Sequence, residues 1–330
     1  MTEILDAPPQ TDFSVVIPAL NEAESLPELI HRLHDTFAKM NTDAYEIIVI
    51  DDGSSDATQD VLAVAAQADS RVKSVRLRRN CGKALGLMAG FQRCAGRFVV
   101  TMDADLQDNP EDIPALRARL DDGFDLVGGW RTSRRDQGIR IVGSKIFNAT
   151  VTHFTGLTLH DLNCGFKIYR RAVVQNLCLY GQYHRYVPVM AHLLGFRVGE
   201  TPVTNSERKF GTSKYRTFRY HGFFDFLSLL FLHKYAHAPL HFFAVVAAIL
   251  IIPSFFLLTV MVGEHFAHLA GFDYPQLANR PLLVISLISL LSGIVIFLTG
   301  FVCDFVLHHL IRAKISQTIN QFVVSPDERG

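Results

Sequence analysis

Residues 98–110 read FVVTMDADLQDNP, and this stretch decides the fold. Phe98 to Met102 runs with no alternation of apolar and polar positions. A strand of that kind is buried on both faces, as in parallel sheets covered by helices on each side. Two carboxylates one residue apart, Asp103 and Asp105, follow at once, and Asn109-Pro110 then opens a helix. In sheets of this class ligands bind beyond the carboxyl ends of the strands. Two carboxylates held that close repel each other. A divalent cation relieves the repulsion, and hard oxygen ligands suit Mg²⁺ or Mn²⁺.

The same grammar repeats toward the N-terminus. Strands are expected at Phe13–Ile17, Tyr45–Ile50 and Val72–Leu77, and helices at Glu24–Met40, Asp56–Ala68 and Gly82–Arg93. Strand and helix in alternation, joined by short links, make an α/β domain with a Rossmann-like, mostly parallel sheet. The strand ends carry Pro18-Ala19-Leu20-Asn21-Glu22, Asp51-Asp52-Gly53-Ser54-Ser55-Asp56 and Arg79-Asn80-Cys81-Gly82-Lys83. Asp56 reads as a helix cap; the others are candidate ligand contacts. No G-x-G-x-x-G follows the first strand, and Gly82-Lys83 lacks both the Ser/Thr and the upstream glycine of a P-loop. The pattern predicts a nucleotide diphosphate bound on a metal, without Walker chemistry.

The chain has 330 residues, 49% hydrophobic and 19% charged, with 32 Lys+Arg against 32 Asp+Glu. That is too apolar for disorder and carries no basic excess, so no nucleic-acid partner is expected. Five cysteines without a C-x-x-C pair fit a reducing compartment better than a disulfide or zinc framework. Residues 1–12 form a polar tail without the basic and apolar regions of a secretory signal. The hydrophobicity is concentrated late. Leu240–Val262 and Leu282–Val302 contain no Asp, Glu, Lys or Arg, and about 20 apolar residues span a bilayer. A two-helix transmembrane hairpin is expected over 238–306, with spans at 240–262 and 282–306. Arg208, Lys209, Lys214, Arg216, Arg219 and Lys234 precede it, only Arg280 lies between the spans, and Arg312 and Lys314 follow. This bias predicts both termini and the soluble domain on the cytosolic side of the inner (plasma) membrane, with a cytosolic tail over 307–330. Residues 217–237, apolar but dotted with Arg219, His221, Asp225, His233 and Lys234, suit a helix lying in the interface. The 14 histidines show no metal-ligand spacing with acidic partners, and half of them flank the spans.

The stretches VVIPALNE (15–22), IIVIDDGSSDAT (47–58), RNCGKALGLMAGF (79–91), DADLQDNPEDIP (103–114), GFKIYRR (165–171) and ERKFGTSKY (207–215) resemble the inverting family 2 glycosyltransferases of GT-A fold. The similarity is to the polyprenyl-phosphate group, which holds dolichyl-phosphate mannose synthase and the bactoprenol glucosyl- and aminoarabinosyl transferases. The resemblance covers residues 13 to about 216 and implies a GT-A catalytic domain there. It implies nucleotide or donor contacts at Pro18, Asn21, Glu22, Asp51, Asp52, Gly82, Lys83 and Asp103. It also implies a metal, diphosphate and donor-sugar site at Asp103, Asp105 and Gln107. Arg131, Arg140 and Ser144 match residues that grip the lipid phosphate, and Asp161 matches an aspartate shortly before the Gly-Phe-Lys motif. Two departures stand out: Arg131 follows Gly128-Gly129-Trp130 where Gly-Ser is commoner, and Asn163-Cys164 replaces the usual pair.

Residue chemistry points the same way. Arg131, Arg134, Arg135, Arg140 and Lys145, then Lys167, Arg170 and Arg171, make a basic series suited to phosphate. Lys214 stands with Arg208 and Lys209 just before the interfacial segment, where each basic residue favours anionic lipid by about 1 kcal/mol. The expected partners are a nucleotide diphospho-sugar, a polyprenyl phosphate and the bilayer. Self-association is compatible with a two-span enzyme, although no residue specifies it. Asp105, Asp161 and Arg131 are the expected catalytic residues, Asp161 as an orienting group, a weak base or a structural one. The alternative is a membrane-anchored family 2 enzyme acting on a protein, a soluble sugar or a growing polysaccharide. A processive synthase would carry Gln-x-x-Arg-Trp, and the single tryptophan, Trp130, follows Gly-Gly.

Overall fold

The computed structural model describes residues 11–131, 150–152, 154–206, 238–272 and 281–322, with single positions at 228, 231 and 235; residues 308–322 are described as backbone. The chain divides into two compact units, Met1–Leu227 and Ser228–Gly330.

The first unit runs β1 (Thr11–Ala19), α1 (Leu26–Lys39), β2 (Tyr45–Asp51), α2 (Thr58–Ala68), β3 (Val72–Arg76), α3 (Lys83–Phe91) and β4 (Gly96–Thr101). It continues with α4 (Ile113–Asp121), β5 (Leu126–Arg131), β6 (Lys167–Arg170), α5 (Arg171–Asn176), α6 (Val187–Leu193) and β7 (Val198–Val203). The strands form one sheet in the order β3-β2-β1-β4-β6-β5-β7. Only β6 is reversed, antiparallel to both β4 and β5, so the expected mostly parallel sheet is present with one inverted strand. β4 starts two residues earlier than its apolar run, because Gly96 pairs with Thr11 through the backbone.

The physical reason for the fold is double-sided burial. All seven residues of β2 are buried, as continuous apolar strands in a covered sheet require. On one face Leu26, Leu29, Leu33 and Phe37 of α1 pack against β1 and β2, each essentially inaccessible. On the other, α3 lies so close to β1 that a Cβ added to Gly90 would come within 2.3 Å of Val16 Cγ1. Glycine there lets the helix settle onto the sheet, which brings its first residue, Lys83, to the carboxyl edge. Glu46, a carboxylate buried inside β2, is satisfied by Ser14 Oγ at 2.6 Å, the Ala95 N–H at 2.7 Å and Lys73 Nζ at 2.6 Å. It ties β1, β3 and the lead-in to β4 together.

The second unit is a helical pair, α7 (Pro239–Leu269) and α8 (Pro281–Phe322). Both are long and apolar enough to cross a membrane, with mean hydropathy 2.8 and 2.7 over their best windows. Only 17% and 11% of those windows are buried, unlike the core helix of a soluble protein. α7 continues past the expected limit at Val262. Ala247, Ser254 and Met261, seven residues apart, are buried. At Gly293 of α8 a Cβ would fall 2.6 Å from Ile251 Cγ1. Buried positions seven residues apart suit left-handed supercoiling, and the small Ala247 and Ser254 among them, with Gly293 opposite, let the two helices approach closely. Pro253 sits within α7, where a kink is tolerated in a membrane setting.

Candidate active site

The loops after β1, β2 and β4, with the start of α3, meet at the carboxyl edge of the sheet. The first two loops are stitched together. The Asn21 N–H donates to Ser54 Oγ at 2.9 Å, the Ser55 N–H donates to Asn21 Oδ1 at 2.8 Å, and the Glu22 N–H donates to Thr58 Oγ1 at 2.9 Å. Pro18, next to last in β1, lies in register with Ile50. Asp51 is 1% exposed and accepts the Ser54 N–H at 2.8 Å, so it braces the turn from below. Asp52 accepts the Cys81 N–H at 2.7 Å and the Gly82 N–H at 2.9 Å, one on each carboxylate oxygen. Asp56 is not the helix N-cap expected of it: that position is Ala57, and Asp56, one residue earlier, accepts the Thr58 N–H at 3.0 Å and the Ala23 N–H at 3.3 Å.

Asp103 forms an ion pair with Lys83 through Oδ1. Its carboxylate lies against Gly165, where a Cβ would meet Asp103 Oδ2 at 2.8 Å; any larger residue at 165 would push the carboxylate away. Desolvation pulls the Asp103 pKa up, but the Lys83 ammonium outweighs it and the net shift is downward. Asp105 is 8% exposed and accepts the Gln107 N–H at 3.2 Å. Between them Leu106, fully buried, is held in the left-handed region at φ 60°, a conformation that costs about 1 kcal/mol for a residue with a Cβ. The kink turns the chain sharply between Asp105 and Gln107.

Asp108, 3% exposed, accepts the Asp103 N–H at 3.3 Å. Burial first, and the Asp103 charge second, push its pKa up to about 7. In the unfolded chain the group ionises near 3.8. Between those values the native state binds the extra proton, so stability falls as pH rises from about 4 to about 7 and is level above. Asp108→Asn, neutral throughout, is expected to gain on wild type across that window. Melting curves against pH in the presence of a chelator measure this, and two parallel profiles would contradict a protonated Asp108.

Arg131, at the end of β5, donates from Nε to Asp161 Oδ2 at 2.8 Å, with the two side chains 18% and 5% exposed. Burial alone would lower the guanidinium pKa, but the Asp161 hydrogen bond and charge outweigh it and raise it. Asp161 Oδ1 also accepts the Asn163 N–H at 3.2 Å. Arg131 acts electrostatically on both Asp103 and Asp108. Beside it, Trp130 stacks on His160 at 4.1 Å, and His160 pairs with Glu200.

Lys167 opens the reversed strand β6 opposite Thr101, at the ligand edge. It is 3% exposed, donates to the Cys164 carbonyl, and has its pKa lowered by burial. Arg170 and Arg171 do not join it, contrary to the basic series read from the sequence. Strand reversal carries them to the other end of the sheet. There Arg170 donates to the Phe124 and Leu120 carbonyls at 3.1 and 2.8 Å, and Arg171 to Ala95 O at 2.9 Å. Arg140, Ser144 and Lys214, with Arg134, Arg135 and Lys145, lie outside the described residues, as does nearly all of 217–237. His184, which sequence reading passed over, does enter the site. It sits on a single turn of 3₁₀ helix, Tyr183–Arg185, with Lys83, Lys167 and Asp103 acting on its imidazole. Only its place beside Tyr183 and Tyr186, apolar anchors that would bury a neighbour, hints at this in the sequence.

Among the described residues no three His, Cys, Asp or Glu side chains converge on a metal position. The candidate donors stay those expected from the sequence: the carboxylates of Asp103 and Asp105 and the amide of Gln107. This suits Mg²⁺ or Mn²⁺, which take one or two carboxylates and complete their shell with phosphate and water. Three acidic groups in one loop, one of them holding its proton up to about pH 7, fit a site that gains from added positive charge.

A mostly parallel sheet with an acidic carboxyl edge is the arrangement expected of a GT-A glycosyltransferase. The model of the family "Glycosyl transferase family 2" matches residues 14–178, half of the chain, and the chain belongs to that family. Among similar proteins are the undecaprenyl-phosphate 4-deoxy-4-formamido-L-arabinose transferases of Salmonella choleraesuis and Salmonella typhimurium. Each is 42% identical over 217 residues, which is 66% of this chain and 66% of the relative. The match thus spans just under two thirds of those relatives. Among the solved structures to which the chain is similar is glucosyl-3-phosphoglycerate synthase from Mycobacterium tuberculosis in complex with Mn²⁺, UDP-glucose and phosphoglyceric acid. It is 20% identical, with TM-score 0.48, covering 61% of this chain and 73% of that one.

Proposed function

We propose that the protein transfers a sugar from a UDP- or GDP-linked donor to a polyprenyl phosphate, with inversion, giving a lipid-linked sugar for cell-envelope glycan or glycolipid modification. The observation that carries this is the meeting, at one sheet edge, of Lys83, Asp103 and Asp105 with the Arg131–Asp161 pair. One half handles a diphosphate and the other offers a guanidinium to a second phosphate. The relatives act on undecaprenyl phosphate by name, and the two apolar helices supply the membrane attachment such an acceptor needs. Residues 13–216 form the catalytic domain in this reading, 217–237 an interfacial helix, and 240–262 and 282–306 the spans. The Lys/Arg bias supports a catalytic domain and both termini in the cytosol, at the plasma (inner) membrane.

The acceptor oxygen forms a bond to the anomeric carbon as the bond from that carbon to the donor diphosphate breaks. A phosphate monoester is already largely anionic near neutral pH, since its second pKa is about 6, so no strong base is needed. Asp161, engaged with Arg131, holds that guanidinium in place and does not act as the base. Arg131, with Arg140, Ser144 and Lys214, orients the acceptor. Lys83 places an ammonium beside the diphosphate, and the loop of Asn21, Glu22 and Asp52 frames the nucleoside. Asp103, Asp105 and Gln107 would hold Mg²⁺ or Mn²⁺, which would supply charge neutralisation for the diphosphate. Positioning and electrostatics carry the rate.

Detergent-solubilised full-length enzyme, given undecaprenyl phosphate, Mg²⁺ or Mn²⁺ and a panel of radiolabelled UDP- and GDP-sugars, is expected to move label into the organic phase. Label recovered instead in protein, soluble sugar or polymer would replace this reading with the anchored-enzyme alternative.

A further inference from the structure

We propose that His184 donates a hydrogen bond from Nδ1 to a phosphoryl oxygen at the transfer site, completing an anion cradle with Lys83 and Lys167. The assignment rests on the glycosyltransferase reading above and adds a ligand contact to it.

Three observations carry the inference. First, His184 Nδ1 is buried and has no hydrogen-bond partner among the described residues. Buried polar nitrogens are nearly always paired, so one with no partner in the chain calls for a group that arrives from outside it. Second, the atom is held in place. The turn Tyr183–Arg185 is pinned by the buried rings of Tyr183 and Tyr186 and packs against α3, whose first residue is Lys83. Third, the charges around the imidazole are predominantly positive: Lys83, Arg185 and Lys167 against the single carboxylate of Asp103. An open donor among cations selects an anion.

The same surroundings settle the role. Burial, followed by Lys83 and the other cations, depresses the His184 pKa to about 3, so the ring stays neutral near physiological pH and does not shuttle protons. A neutral imidazole carries one N–H, and a phosphoryl oxygen facing Nδ1 selects the tautomer protonated there. The phosphoryl group belongs either to the donor diphosphate or to the acceptor monophosphate. Both present the same oxygen chemistry to this atom.

Asparagine can place its amide nitrogen where Nδ1 stood, whereas glutamine reaches the position of Nε2. His184→Asn, His184→Gln and His184→Ala are therefore compared in the full-length enzyme. One arm titrates UDP and GDP calorimetrically with Mg²⁺; the other measures KM for undecaprenyl phosphate. His184→Ala and His184→Gln are expected to weaken one arm by roughly tenfold or more, as for a lost hydrogen bond to a charged group. His184→Asn is expected to stay within about threefold of wild type, in keeping with a retained bond. Weakening of the nucleotide arm assigns the contact to the donor, and weakening of the lipid arm assigns it to the acceptor. Unchanged arms in His184→Ala overturn the proposal. So does an equal loss in all three variants together with a lowered melting temperature, which marks a packing role. A wild-type enzyme that neither binds a nucleoside diphosphate nor labels the lipid condemns the glycosyltransferase reading itself, separately from His184.

Discussion

Asp105→Asn is expected to cut sugar transfer by roughly a thousandfold, the scale of losing one electrostatic element of a preorganised site, with little change in melting temperature. The side chain is buried at the ligand edge, and its recorded hydrogen bond is to the Gln107 N–H at 3.2 Å. Asparagine keeps the shape and an oxygen for that bond and removes only the charge. Asp105→Ala removes both, and the extra cost to folding is about 1 kcal/mol, the worth of one such bond. Comparing the two separates loss of charge from loosening of the kink at Leu106. Transfer assays with labelled donor read the first, and Mn²⁺-dependent binding of nucleoside diphosphate gives an independent readout. Normal turnover in Asp105→Asn would remove this carboxylate from the metal site.

The second large effect concerns Arg131, where the loss is twofold in kind. Both side chains of the Arg131–Asp161 pair are mostly withdrawn from water. Removing one partner of a buried pair leaves the other charge stranded, at about 3–5 kcal/mol. Arg131→Ala should therefore lower the denaturant midpoint as well as acceptor use, and the acceptor KM should rise more than donor affinity falls. Replacing both residues, Arg131→Met with Asp161→Leu, should recover most of the stability, because apolar groups of similar volume substitute well for a buried ion pair. It should recover none of the transfer. If the double variant regained activity, the pair would be structural only and the acceptor phosphate would be held elsewhere.

Much of the sheet could be read from the chain because β1, β2 and β4 are apolar runs with no alternation, and because ligand-facing groups follow a parallel strand in sequence. That rule put Asn21, Asp103 and Asp105 just past the ends of β1 and β4, where the structure has them. It fails at β6 for a physical reason. A reversed strand brings its beginning to the ligand edge, so Gly165 and Lys167 matter while Arg170 and Arg171, which follow, brace the far side. Asp52, expected as a ligand contact because it stands at a strand end, holds two backbone N–H groups on its oxygens. Its chemistry was legible, but its partner, 29 residues away in sequence, was not. His184 escaped because nothing in its local spacing marks a ring whose surroundings are assembled from α3 and β6. The Arg131–Asp161 pair was visible as two separate residues, and only the fold joins them across 30 positions.

The clasp of Asp52 on Cys81 and Gly82 also bears on how a nucleotide would be received. Ordering a backbone costs about 1–2 kcal/mol of conformational entropy per residue, and here that cost falls on folding and not on ligand arrival. The segment leading into Lys83 is thus a rigid receptor. Affinity at this corner can be tuned by side-chain exchange without reshaping a floppy loop, so closely related enzymes could change nucleobase or sugar while keeping the same phosphate grip.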